Sequence, residues 1–90
     1  MKIVVLEKKD KELEFKIEGE RHTFPELLRH ALAQDPDVDF VAYKLHHPMD
    51  SSAVFFLRTH KGKPKTALTK AVSKIEKELD SFKKAVENAL

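Results

Sequence analysis

The stretch GERHTFPELLRHALAQDPDVDFVAYKLHHP, Gly19 to Pro48, holds a helix, its stop signal and a strand in succession, and the rest of the chain is read outward from it. Thr23 followed three residues later by Glu26 has the spacing of a capping box, in which the threonine oxygen accepts the Glu26 N–H and the glutamate reaches back to the Thr23 N–H. The helix is therefore expected to start at Phe24. Pro25 falls in its first turn, where no intrahelical N–H is required. Phe24, Leu27, Leu28, Ala31 and Leu32 recur at helical spacing and form one apolar face, with Arg29, His30 and Gln34 largely outside it. Asp35 precedes Pro36, and a residue before proline is pushed out of the α region, so the helix stops at about Gln34. Asp37 to Leu45 then reads as a strand, with Val38, Phe40 and Ala42 on one face and Val41, Tyr43 and Leu45 on the other.

Upstream, Ile3, Val4, Val5 and Leu6 form an unbroken apolar run, which predicts a strand over Lys2 to Leu6 covered on both faces or nearly so. After a charged turn, Leu13 to Glu18 alternates strictly, placing Leu13, Phe15 and Ile17 on one face of a half-buried strand that pairs with the first as a hairpin. Downstream, His46 to Ser52 reads as a turn and Ala53 to Thr59, rich in Val, Phe and Leu, as a fourth strand. Lys61 to Lys63 is a loop, and Pro64 opens a helix that runs almost to the C-terminus. Leu68, Val72, Ile75, Leu79, Phe82, Val86 and Leu90 mark a heptad seam along that helix, whose first half, Leu68, Val72 and Ile75, is expected to pack on the sheet as core. The order ββαββα predicts an α+β two-layer sandwich: a four-stranded, mainly antiparallel sheet with two helices on one face, forming one domain over residues 1–90.

The last helix is too long for such a domain. From Pro64 to Ala89 it would span ~39 Å, against ~31 Å for a uniform sphere of the size expected for this chain. Its far end should overhang, still carrying Phe82, Val86 and Leu90, and exposed apolar surface of that kind marks a partner site. Self-association of the isolated chain at high concentration follows from the same faces.

The run Gly19-Glu20, His22-Thr23-Phe24, Leu27-Leu28-Arg29, Leu32, Val38, Phe40, Ala42-Tyr43 and His47-Pro48 resembles the signature of the small dimerising subunit of cellular RNA polymerases. It is most similar to the archaeal subunit L family, which takes in the matching eukaryotic small subunits and, more distantly, the amino-terminal domain of the bacterial alpha subunit. The resemblance covers nearly the whole chain. One departure is Glu26, where family members usually carry an asparagine. The resemblance implies a non-catalytic assembly subunit of DNA-directed RNA polymerase, pairing with a larger archaeal subunit, D, as a platform for the catalytic subunits. Pairing would run through both helices, with Phe24, Leu27, Leu28, Ala31, Leu79, Phe82, Val86 and Leu90 at the interface. His22, Thr23, Glu26, Tyr43, His47 and Pro48 would be structural motif residues. DNA would be reached only through the assembled polymerase.

Composition and the other motifs are consistent with this expectation. The absence of cysteine excludes disulfides and thiolate chemistry and fits a reducing cytoplasm, and no apolar run approaches the ~20 residues of a membrane helix. Lys and Arg total 17 against 15 Asp and Glu, and a net charge of +2 is too small to read as a nucleic-acid footprint. The loop lysines Lys61, Lys63 and Lys65 read as a solvated turn. No phosphate loop, nucleophile elbow or aspartate triplet is present, so neither cofactor nor catalysis is expected of this chain alone. His46, His47 and His60 are the residues with metal-ligand chemistry, but adjacent histidines on extended backbone point to opposite sides and nothing nearby closes a coordination shell. An alternative of another class uses the same residues: pterin carbinolamine dehydratases share ββαββα and a His-His-Pro motif, which His46-His47-Pro48 and His60 resemble. In that family the motif directly follows the first helix, whereas here a complete strand intervenes.

Overall fold

The computed structural model describes residues 2–19, 23–45 and 52–90, with the backbone but not the side chain of Thr23. Two strands, β1 (Lys2–Lys8) and β2 (Glu12–Glu18), precede helix α1 (Thr23–Ala33); β3 (Val38–Lys44) and β4 (Ser52–Thr59) precede helix α2 (Pro64–Ala89). All neighbouring strands are antiparallel, in the order β1-β2-β4-β3. The fold is the expected α+β sandwich. Phe15, Ile17, Ala53, Phe55 and Leu57 of the two central strands face Leu28, Ala31 and Leu32 of α1 and Ala67, Ala71 and Ile75 of α2 across one core. Phe15, Phe55 and Tyr43 form a row of stacked rings across β2, β4 and β3, with centroids 5.2 and 5.1 Å apart.

Turn chemistry fixes the connections from α1 to β3 and from β4 to α2. Asp35 Oδ1 accepts the Asp37 N–H at 2.9 Å, an Asx turn that carries the chain through Pro36 into β3. Gly62 sits at φ +77°, a left-handed conformation that glycine adopts without a side-chain penalty, and its carbonyl accepts the buried Thr59 hydroxyl at 2.8 Å. This bends the chain from β4 into α2.

Three sequence expectations are corrected. The apolar run of β1 is not covered on both faces: β1 is the sheet edge, the helices pack over β3 and β4, and Ile3, Val5 and Leu6 are about half exposed. Strict alternation fails in β3, because Val38 opposes Thr59 while Phe40 opposes the adjacent Arg58, leaving Asp39 as an extra residue. The bulge puts Val38 on the core side, with Val41 and Tyr43, and leaves Phe40 exposed on the open face. In the first half of α2 the buried line is Pro64, Ala67, Ala71 and Ile75; Leu68 and Val72 flank it, partly buried. Alanines take the central line because a helix can approach its neighbours closely only where the side chains between them are short.

Candidate subunit interface

Helix α2 has two physically different halves. Up to Ile75 it presents a buried residue at each turn; beyond Ile75 every residue is exposed. The helix nevertheless continues to Ala89, since that stretch has neither glycine nor proline and is rich in strong helix formers, with Lys84 and Asp80 paired at 3.2 Å across one turn. Leu79 is 60%, Phe82 58% and Val86 41% exposed, and Leu90 is fully exposed. About 20 Å of helix therefore projects past the sheet with its apolar seam open. The molecule measures 46 × 33 × 17 Å, an elongated slab in keeping with that projection.

Helix α1 is held against β3 by a polar clasp. The Tyr43 hydroxyl donates to Glu26 Oε2 at 3.1 Å, while Glu26 Oε1 accepts from Arg29 Nε at 3.0 Å and also from Arg29 Nη2. Burial, then the Glu26 carboxylate, pushes the Tyr43 hydroxyl above its ordinary pKa, and the Glu26 hydrogen bond raises that of the Arg29 guanidinium. At the other end of α1, Lys70 of α2 reaches Asp35 and Asp37 at 3.2 and 3.6 Å, and Lys74 donates to Gln34. With α1 fixed on both sides, Leu27 is left 44% exposed.

Of the eight apolar residues expected to meet a partner, Leu28 and Ala31 lie in this chain's own core and Phe24 packs partly buried against it. Leu27, Leu79, Phe82, Val86 and Leu90 are open. Two residues escape the sequence reading: Ile3 and Val5 pair directly with Ile17 and Phe15, which places them on the helix side of the sheet, where they are 49% and 56% exposed. Their unbroken apolar run signalled burial; what it could not signal was that this chain leaves the burial undone.

Among the motif residues, Glu26 and Tyr43 meet directly, so the glutamate at the position where asparagine is usual makes a bond between helix and sheet. His22, His47 and Pro48 lie outside the described residues, as does His46, and so does the side-chain half of the Thr23 capping box. His60 Nε2–H donates to the Pro36 carbonyl at 2.6 Å. No group of three or more His, Cys, Asp or Glu suited to a metal occurs among the described residues, and no helix among them is long and apolar enough to cross a membrane.

A two-layer sandwich whose longest helix leaves half its apolar seam open has the exposed apolar surface that suits a pairing module. The RNA polymerase Rpb3/Rpb11 dimerisation domain matches residues 12–85. The chain is 40% identical to DNA-directed RNA polymerase subunit Rpo11 of Pyrococcus horikoshii, over 98% of this chain and the whole of that protein. It is 42% identical to the Rpo11 of Pyrococcus abyssi, over 96% of this chain and 98% of that one. The crystal structure of DNA-directed RNA polymerase subunit L from Thermoplasma acidophilum shares its fold, with a TM-score of 0.86 over 97% of this chain and 86% of that one at 22% identity. The chain belongs to the RNA polymerase Rpb3/Rpb11 dimerisation-domain family. Nothing among these relatives supports the pterin carbinolamine dehydratase alternative.

Proposed function

We propose that this chain is the small, non-catalytic assembly subunit of a cytoplasmic DNA-directed RNA polymerase, pairing with the larger dimerising subunit, called D in archaea. The pair would serve as the platform on which the catalytic subunits assemble. The observation that carries this reading is the open seam of α2, Leu79, Phe82 and Val86, within a chain of the Rpb3/Rpb11 family. Leu27 on α1 and Ile3 and Val5 on β1 add apolar surface on the same side of the sheet. The larger subunit would take these side chains out of water, and burial of apolar area is the main favourable contribution to such an association. Leu28 and Ala31 would act indirectly, by seating α1.

The test is the double variant Phe82→Asp, Val86→Asp, which would place two carboxylates in an apolar contact at a cost of several kcal/mol if they stay ionised there. Co-expression with the larger subunit reports pairing, while circular dichroism and thermal melting of the isolated chain report the fold. Pairing is expected to collapse with the melting temperature nearly unchanged, because the buried line ends at Ile75. A control pair, Lys61→Ala and Lys63→Ala, should alter neither. Full-yield co-purification of the aspartate variant would overturn the assignment of the seam.

A further inference from the structure

Charge is distributed unevenly along this chain. From Ser51 to Ile75 there is no acidic residue, while Arg58, Lys61, Lys63, Lys65, Lys70 and Lys74 fall in that span. The fold pairs Arg58 with Asp39 and Lys70 with Asp35 and Asp37, but it brings further lysines to the rest of the span. Lys8 ends β1 and Lys9 and Lys11 lie in the turn to β2, which is tied to the end of β4 by the Thr59 N–H donating to the Lys11 carbonyl at 2.8 Å and to the loop before α2 by Lys11 Nζ donating to the Gly62 carbonyl at 3.3 Å. Two lysine clusters about 50 residues apart in sequence thereby meet around a cleft of about 560 Å³. Lys8, Lys9, Lys63 and Lys65 line it, together with Leu13 and Pro64, and Asp10 and Glu12 stand on the same wall.

Among the described residues, three of the four lysines lining the cleft have no ion pair. Lys9 has Glu7 and Glu12 at 3.5 and 3.8 Å, but among the described residues Lys8, Lys63 and Lys65 have no carboxylate within ion-pair distance. Lys63 and Lys65 also sit at the start of α2, whose first turn has no acidic residue and whose N-cap has no side-chain hydrogen bond. A helix start is the positive end of the helix dipole, where lysine is unfavourable and carboxylate favourable. Helix α1 follows the usual pattern, with Glu26 in its first turn. An anionic group supplied from outside would relieve the repulsion that α2 carries.

We propose that this cleft docks an acidic segment of another polypeptide, one that alternates carboxylate and aliphatic side chains. Its carboxylates would meet Lys8, Lys63 and Lys65, and its aliphatic groups would pack on the partly exposed Leu13. A nucleic acid suits the cleft less well. Its backbone is charged at every step and would run against Asp10 and Glu12, and no aromatic side chain lines the cleft to stack a base. The cleft lies at the opposite end of α2 from Phe82 and Val86, about 25 Å along the helix, so it is separate from the seam proposed for pairing.

The experiment is an NMR titration of the full chain with a capped peptide alternating glutamate and leucine, and in parallel with a single-stranded DNA oligonucleotide. Amide shifts are expected at Lys8 to Glu12 and Lys63 to Thr66, weakening as salt is raised. Lys63→Glu with Lys65→Glu should reduce peptide affinity by about tenfold or more, the scale expected when two attractive charges become repulsive. That variant should fold, since it places acids where a helix start favours them. Lys77→Glu with Lys83→Glu makes the same change of net charge beyond the cleft and should leave affinity within about twofold. Equal loss in both double variants, shifts outside the cleft, no peptide binding by the unaltered chain, or tighter binding of the oligonucleotide would each overturn the proposal. Co-expression of the Lys63→Glu, Lys65→Glu chain with the larger subunit should still yield the pair, which separates this inference from the assembly reading.

Discussion

Tyr43 and Asp35 are the two side chains that most directly couple helix to strand, and each has a pH signature. The Tyr43 hydroxyl is raised above its ordinary 10.0 in the fold, so its contribution is complete below that value and is lost as pH rises through the higher, folded-state pKa. Tyr43→Phe should cost about 1 kcal/mol near neutrality, through the bond to Glu26, and should abolish this alkaline loss; urea midpoints at neutral and alkaline pH check both. Asp35 behaves with the opposite sign. Its carboxylate is lowered from 3.8, chiefly by accepting the Asp37 N–H and then by Lys70, so its contribution is present above 3.8 and is lost as pH falls through the lower, folded-state pKa. Asp35→Asn should therefore lower stability by about 1 kcal/mol at neutral pH, discounted for the half-exposed Lys70, and flatten the acid limb of a stability–pH curve.

Within elements, α2 gives the sharpest contrast, because neighbouring turns do different work. Ile75 is 6% exposed and Leu79, one turn on, is 60% exposed. Ile75→Ala should destabilise the isolated chain by about 2–4 kcal/mol, while Leu79→Ala should stay within about 0.5 kcal/mol in that measurement. Ala71→Leu should also cost about 1–3 kcal/mol, since the added carbons would enter the close approach of α2 to the core. Thermal or urea unfolding of the three variants distinguishes a core line through the alanines from one through Leu68 and Val72. The β3 bulge is a similar case: Asp39 leaves the strict period, and its Oδ2 accepts from Arg58 Nε at 2.7 Å on the neighbouring strand, beneath an Arg58–Phe40 cation–π contact.

At the scale of the whole molecule, the uncovered seam of α2 and the uncovered helix-side residues of β1 are a standing cause of association. Concentration-dependent light scattering of the isolated chain should show an average mass rising above the monomer's 10.4 kDa. Mixing with the larger subunit should replace that behaviour with a single defined pair, since one set of apolar side chains cannot serve two partners at once. A strictly monomeric mass at high concentration would mean that these side chains find cover within the chain, contrary to their exposure.

The sequence by itself determined the element order, the length and overhang of α2 and the family, because these depend on local signals: periodicity, proline and capping positions, and motif spacing over short intervals. It was also enough to mark Phe82, Val86 and Leu90 as surplus, since a helix outrunning its domain is a matter of length alone. Tertiary structure decided what depends on which neighbour arrives. It made β1 an edge and so left Ile3 and Val5 open, put Val38 inward through a bulge, and drew Leu28 and Ala31 into the core. It also chose the alanine line over the leucine line, because close helix packing rewards small side chains that hydrophobicity alone ranks low. The meeting of Glu26 with Tyr43, and of the lysines of one turn with those of a distant loop, was equally beyond local reading: each pair is distant in sequence, and packing of α1 on β3 joins the first while pairing of β2 with β4 joins the second.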